Sequence, residues 1–153
     1  MPGGYKIADD GRLLFVKWQG DMLDQRVYDH VIERMQDKRL CNGLIEAIDV
    51  RSATVDAEIN QTIHSNNIHK LAASYAQTRN FVRIAKILII VPDQLMFEHA
   101  SDFRLLMAKQ GVDVILFSST QSLSYFLPYN SEELEDMFAS IAIEGASEFR
   151  RQA

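Results

Sequence analysis

The chain has a single cysteine, Cys41, so no internal disulfide can form and nothing indicates an oxidising compartment. Its longest apolar run, residues 87–91, is far too short to span a bilayer. The first residues lack the basic start and apolar stretch of a signal peptide. We therefore expect a cytoplasmic protein without a membrane span.

Basic side chains are outnumbered, with 16 Lys and Arg against 21 Asp and Glu and a net charge of −5. Nucleic-acid binding needs a basic face, so nucleic acid is not expected as a partner. Proline and glycine are also scarce, at three and seven residues, and no segment rich in them divides the chain. A length of 153 residues then fits one domain of ordinary size.

Several catalytic signatures are missing. No strand runs into a glycine-rich helix start, which excludes a dinucleotide-binding site, and no Gly-x-Ser-x-Gly elbow indicates an α/β-hydrolase. A response-regulator receiver needs an acidic pair after its first parallel strand and a Lys after its last. Here Asp9 and Asp10 lie in a hairpin turn, and Ser118-Ser119 stands in place of the Lys.

The four histidines give no metal-binding pattern. His64 and His69 are five residues apart, whereas two ligands on one helix face need a spacing of three or four. His30 and His99 are far from both, so we expect all four at the surface or half-buried. No metal and no cofactor are predicted, and Cys41 has no helix N-terminus to activate it as a nucleophile.

Apolar periodicity predicts an α/β fold. Segments of period two or continuous hydrophobicity indicate strands at residues 5–8, 13–18, 44–50, 82–91 and 112–117. Helical patterns cover residues 23–39, 56–77 and 94–109, with a short helix after Ser118-Ser119-Thr120. The order predicts a mixed five-stranded sheet, opened by an N-terminal β-hairpin and continued by βαβ units, with helices on both faces. The segment 82–91 is the most apolar, so we expect it at the centre.

The last segment, residues 128–153, predicts an amphipathic helix that starts near Asn130 and ends at Arg150-Arg151. Its apolar stripe comprises Leu134, Met137, Phe138 and Ile141. The stripe must be buried either on the chain's own domain or across the two-fold axis of a homodimer, and its width does not separate the two placements.

Four local sequences carry a resemblance to a known group. They are the hairpin with Gly20-Asp21, the strand 44–50 before a capped helix, the segment 83–92, and the segment 114–119 before a short helix. The chain resembles the SpoIIAA-like proteins, relatives of the STAS domains of anti-sigma factor antagonists and sulfate transporters. The resemblance covers about residues 5–127 and implies a STAS-like domain over 1–127. It also implies a bacterial regulatory protein with a protein partner.

In the anti-sigma factor antagonists, a serine after the third strand is phosphorylated to break a complex with a kinase-like partner. The matching stretch here is residues 51–56, where Ser52 and Thr54 are the phosphorylation candidates. The paired serines and the glycine of the family's site are absent.

Polar side chains follow the parallel strands, at the edge where open α/β sheets bind ligands. Helix N-termini there would present free N–H groups to an anion, or these residues would simply cap their own helices. The candidates for ligand or anion binding are Arg51, Ser52, Thr54, Asp93, Ser118, Ser119 and Thr120.

Two functions are compatible with this pattern. The favoured interpretation is a non-catalytic STAS-like module that binds a protein partner, itself, or a small apolar or anionic ligand. The alternative is a small enzyme that uses Arg51, Asp93, Ser118 and Ser119 at the carboxyl ends of the strands. If these side chains only cap their helices, the enzyme interpretation loses its basis.

Overall fold

The computed structural model describes residues 3–22, 25–55 and 61–143, and for residues 61–63 the backbone alone. The strands are β1 Gly3–Ala8, β2 Leu13–Asp21, β3 Leu44–Thr54, β4 Ile84–Ile90 and β5 Asp113–Phe117. The helices are α1 Gln25–Met35, α2 Gln61–Gln77, α3 Gln94–Ala108, α4 Thr120–Leu123 and α5 Ser131–Ala139. None of the described helices combines the length and hydrophobicity needed to cross a bilayer.

The five strands form one sheet in the order β1-β2-β3-β4-β5. β1 runs antiparallel to β2, and all other neighbours are parallel. The predicted mixed sheet, with a hairpin followed by βαβ units, is confirmed. The expectation that segment 82–91 is central is wrong, because β3 holds that place. High hydrophobicity indicates only that a strand is covered on both faces. An interior strand such as β4 is covered in this way without being the central one.

Helices cover both faces of the sheet, as the two apolar faces of β2 predict. β3, β4 and β5 are each added at the same edge of the sheet. Right-handed crossovers therefore place α1, α2 and α3 together on one face. Leu14 and Val16 point into the core under these three helices. Leu13 and Phe15 point into the other core, under α4 and α5.

α5 packs on the chain's own sheet. Leu134, Phe138 and Ile141 are buried there, and the Phe138 ring meets Phe15 edge-on with centroids 5.4 Å apart. Met137 packs against the same cluster. A homodimer through this stripe would require α5 to leave the sheet, so these side chains are not available as an interface in this arrangement.

Two helix ends differ from the sequence-based boundaries. α5 starts at the predicted cap, Asn130, but ends at Ala139, and residues 144–153 lie outside the described residues. α1 ends at Met35 rather than at residue 39. There the Asp37 carboxylate accepts from the backbone N–H and the guanidinium of Arg39, which stabilises a turn in place of another helical turn.

A buried polar network joins α1 and α2 to the central strand. Glu46 of β3 is fully buried and accepts from Arg34 Nε at 2.9 Å and from the Tyr75 hydroxyl at 2.5 Å. Arg34 also donates to Tyr75 at 2.9 Å and to His30 Nδ1 at 2.9 Å. Burial lowers the pKa of Arg34, but the charges and hydrogen bonds of Glu46 and Tyr75 together outweigh it and raise the pKa overall. The network satisfies groups that would otherwise be costly to bury.

Replacing Glu46 by Ala is expected to lower the free energy of unfolding by about 3–5 kcal/mol, because Arg34 would keep its charge in the core without a partner. The triple variant Arg34→Met, Glu46→Leu, Tyr75→Phe removes the polar groups together and should lose less than the single variant. Urea denaturation measures both. Arg39→Ala, at the exposed pair with Asp37, is the control and should leave stability nearly unchanged. A triple variant less stable than Glu46→Ala would contradict this account.

His30 should make stability depend on pH. A guanidinium only donates, so Nδ1 of His30 must be the acceptor and the ring neutral. Burial, then the charge of Arg34, lowers the pKa of His30 to about 3. The unfolded chain takes up this proton near the ordinary pKa of about 6.5, so stability is full above that value and lost as pH falls toward 3.

The variant His30→Asn should flatten the slope of unfolding free energy against pH between those two values. Above pH 7 its own slope should match that of the parent protein. Carboxylates change the slope of unfolding free energy against pH mainly below about pH 4.5. Denaturation series above and below that value therefore separate the effect of His30 from that of the carboxylates. An unchanged slope above pH 4.5 in the variant would mean that His30 is protonated in the folded state.

Candidate functional site

Ser52 and Thr54 lie within β3, so the expectation that they cap the next helix is wrong. β2 continues past its predicted end at residue 18 as far as Asp21, and the pairing of Gln19 with Ser52 and of Asp21 with Thr54 extends both strands. α2 is described from Gln61, and residues 56–60 lie outside the described residues. Both hydroxyl residues are exposed, but a phosphate on Thr54 would lie beside Asp21 in the sheet and repel it.

Arg51 is held by two carboxylates. It donates to Asp49 from Nε and Nη2, both at 3.0 Å, and to Glu135 from Nη1 at 2.5 Å. Its hydrogen bonds to Asp49 and Glu135 outweigh burial and raise its pKa. The three side chains together carry one net negative charge, so this part of the rim does not offer a free cation to an anion.

The other rim residues cap or brace their own helices. Asp93 accepts from the backbone N–H of Met96 at 2.9 Å, and Ser119 from that of Ser122 at 3.2 Å. Thr120 is buried and donates to Glu135 at 2.9 Å. Ser118 is exposed. Of the four side chains needed by the enzyme interpretation, Arg51, Asp93 and Ser119 are thus engaged in ion pairing or capping. The rim gives that interpretation no support.

Because Arg51 is already neutralised, millimolar inorganic phosphate is expected to leave the melting temperature of the protein unchanged. Glu135→Gln should lower the free energy of unfolding by only about 0.2–1 kcal/mol, since Arg51 keeps its bidentate bond to Asp49. Thermal and urea denaturation measure the two effects. Asp136→Asn, on the same helix and also exposed, is the control. A clear stabilisation of the parent protein by phosphate would restore the anion site.

A cavity of about 90 Å³ lies between the sheet and the face covered by α1, α2 and α3. Its walls are mostly apolar and include Val16, Ile48 and Ile89 from the strands and Val31, Ile68 and Phe103 from the helices. Val16 and Ile48 lie near the middle of β2 and β3, and the lining continues to Trp18, Val50 and Ile89 in the later halves of β2, β3 and β4. The cavity is thus at the ligand-binding end of the sheet, but beneath the helices instead of on the rim.

The floor of the cavity is the buried network. Arg34 and Tyr75 both line the cavity, and both are bound to Glu46. Their polar atoms are therefore occupied, and Tyr28, another lining residue, donates its hydroxyl to Asn67 at 3.1 Å. Most of the polar groups around the cavity are satisfied within the protein.

Two of the lining residues, Trp18 and His99, each carry one polar atom that is an exception. Nε1 of Trp18 and Nε2 of His99 are buried and have no hydrogen-bond partner among the described residues. Trp18 is 2% exposed, and its indole packs edge-on to His30. A side chain at Gly3 would collide with the same indole, so the glycine permits β1 to cover it. Unpaired buried polar groups are rare and call for an explanation.

His99 belongs to a chain of three polar side chains. Oδ2 of Asp102 lies 2.9 Å from Nε2 of His64. Nδ1 of His64 lies 2.5 Å from Nδ1 of His99. The two rings cross with centroids 3.9 Å apart. Burial, then the charge of His64, lowers the pKa of His99 and favours its neutral form. Within the described residues, no three His, Cys, Asp or Glu side chains are placed to hold a metal ion.

These residues could not be found from local sequence patterns. All four histidines were expected at the surface or half-buried, yet His30 and His64 are each 5% exposed. His99 is half-buried and His69 exposed, as expected. The separation of 35 residues between His64 and His99 hides their contact. Trp18 was recognised only as an apolar strand residue, although a buried indole N–H always needs an acceptor.

Comparisons with known proteins add no assignment. No protein-family model matches the chain, and no curated protein sequence matches it.

Proposed function

We propose that this protein is a non-catalytic, STAS-like binding module whose ligand is a small apolar molecule held in the cavity between the sheet and α1, α2 and α3. The observation that carries the proposal is the cavity itself. Protein interiors are packed to crystal-like density and leave few voids larger than a water molecule. The apolar pocket of about 90 Å³ is several times the roughly 10–15 Å³ of free space needed to hold one water molecule.

The position of the cavity supports a binding role. Its walls come from three strands and three helices, so an occupant would contact every element on that face. Binding to the folded state alone stabilises it by mass action and would hold α1, α2 and α3 in one arrangement. A regulatory protein partner that binds this arrangement of helices would agree with the resemblance to STAS domains. That partner stays a prediction.

The remaining chemistry also favours binding over catalysis. The rim residues are engaged as helix caps and ion pairs, and the polar groups of the cavity floor are bound to each other. The order of hairpin and βαβ units, on which the resemblance to SpoIIAA-like proteins depends, is present in the sheet. These features support a module whose function is to hold a ligand.

Filling the cavity should abolish ligand binding without unfolding the protein. Ala100 lines the cavity, and Ala100→Leu is expected to raise the free energy of unfolding by about 0.5–2 kcal/mol. Xenon, an apolar probe small enough for a cavity of about 90 Å³, should stabilise the parent protein but not this variant. Thermal denaturation with and without xenon under pressure measures the effect, and ¹²⁹Xe NMR gives a second readout.

Ala72→Leu is the matched control, because Ala72 is buried in the same core but does not line the cavity. It should lower the free energy of unfolding by about 1–3 kcal/mol through overpacking and keep the response to xenon. Equal responses in the parent protein and Ala100→Leu, or none in the parent protein, would contradict the proposed function.

A further inference from the structure

A groove of about 440 Å³ lies at the amino-terminal ends of β4 and β5, at the end of the sheet opposite the rim. One side comes from residues 78–84, which lead into β4, and the other from residues 107–112, which lead into β5. Among the described residues, only Tyr75 lines both this groove and the cavity beneath the helices. The groove is therefore a second place where a ligand could bind.

The lining of the groove is positively charged. Arg79 and Arg83 are both exposed there, and no Asp or Glu side chain lines the groove in the part of the chain that the structure describes. Acidic residues outnumber basic ones in the whole chain, and three other arginines each form an ion pair with a carboxylate. Asp113 follows the lining but lies opposite Lys86 in the register of β4 and β5. The groove thus presents two positive charges without a carboxylate between them.

The backbone of Arg83 is fixed, whereas its side chain is unpaired. Its N–H donates to Oδ1 of Asn42 at 2.8 Å, and its carbonyl accepts from the N–H groups of Gly43 and Leu44 at 2.9 and 3.1 Å. Its guanidinium has no hydrogen-bond or ion-pair partner among the described residues. An arginine that is anchored through its backbone and unpaired at its side chain is available to a ligand.

Arg79 reaches across the groove. Its Nη2 donates to the carbonyl oxygen of Gln110 on the opposite side, which fixes the guanidinium and leaves the N–H groups of Nε and Nη1 unused within the described residues. The side-chain amide of Asn80 also has no partner there and adds a neutral donor. Several N–H donors are therefore gathered in the groove before any ligand binds.

We propose that this groove binds a small organic phosphate, held as the dianion of a phosphate monoester. Such a group carries a charge of about −1.5 to −2 at pH 7, which matches the two guanidiniums, whereas one carboxylate or sulfate would balance only one of them. The planar guanidinium also pairs with two phosphate oxygens at once. This inference goes beyond the proposed function, because it does not depend on what the cavity holds.

The phosphate group alone is not sufficient for binding in the millimolar range. Both arginines are exposed, and each ion pair at an exposed site contributes little. Inorganic phosphate at millimolar concentration is therefore still expected to leave the melting temperature unchanged. The organic part of the ligand adds apolar contacts, for which the half-buried Ile84 and the methylene stems of the two arginines offer surface.

Phenyl phosphate and phenyl sulfate are a matched pair of probes. They share the ring and the shape of the head group, but at pH 8, above the second phosphate pKa of about 6, only the phosphate is a dianion. NMR titration of the full chain gives both dissociation constants. We expect phenyl phosphate to bind about 2- to 5-fold more tightly, as one additional exposed ion pair predicts. The amide shifts that change should be those of residues 78–84 and 107–112.

Two variants of equal charge locate the effect. Arg83→Gln removes a positive charge without removing a bond within the described residues, and it should bring the two dissociation constants close together. Arg104→Gln is the matched control, because Arg104 is exposed on α3 and does not line the groove. It should keep the preference of the parent protein, and both variants should keep its melting temperature.

Three results would overturn the inference. The first is equal affinity of the parent protein for the two probes, and the second is an unchanged preference in Arg83→Gln. The third is a set of shift changes outside residues 78–84 and 107–112, which would mean that phenyl phosphate binds elsewhere. Because xenon tests the cavity separately, each of these results leaves the proposed function untouched.

Discussion

The carboxylate of Glu46 constrains the rest of the helical face. It lies near the start of the central strand, between Leu14 and Ile87 in register, where an apolar residue would ordinarily stand. Because a buried charge needs partners, Arg34 of α1 and Tyr75 of α2 must reach it together. Two helices are thus tied to one point of the sheet, and the space that they leave beyond that point is the cavity.

This arrangement separates the polar chemistry of the protein into two zones. On the rim, caps and the Asp49–Arg51–Glu135 cluster satisfy their own charges and stabilise α3, α4 and the docking of α5. Beneath the helices, the walls are mostly apolar, and among the described residues Trp18 and His99 each keep one buried polar atom unpaired. Hydrogen bonds are stronger in this second zone, because water is excluded there.

The face of the sheet covered by α1, α2 and α3 could be predicted only in part. The apolar alternation of β2 correctly indicated that both faces of the sheet are covered, and Asp93 and Asn130 were recognised as caps. β3 was predicted to end at residue 50, because the extension to Thr54 depends on pairing with β2 rather than on its own pattern. The rim was considered as a site because helix caps can be recognised from a few neighbouring residues. A cavity between distant elements cannot be recognised in that way.

The amino-acid sequence alone determined the hairpin, the alternation of strands and helices, the helix caps and the burial of the sheet on both faces. These follow from side-chain periodicity and from neighbours a few residues apart. Only the tertiary structure decided that Glu46 meets Arg34 and Tyr75, and that His64 meets His99. Such pairs join residues 12 to 35 positions apart, and their contact depends on how helices are set against a shared sheet. No local pattern encodes that geometry.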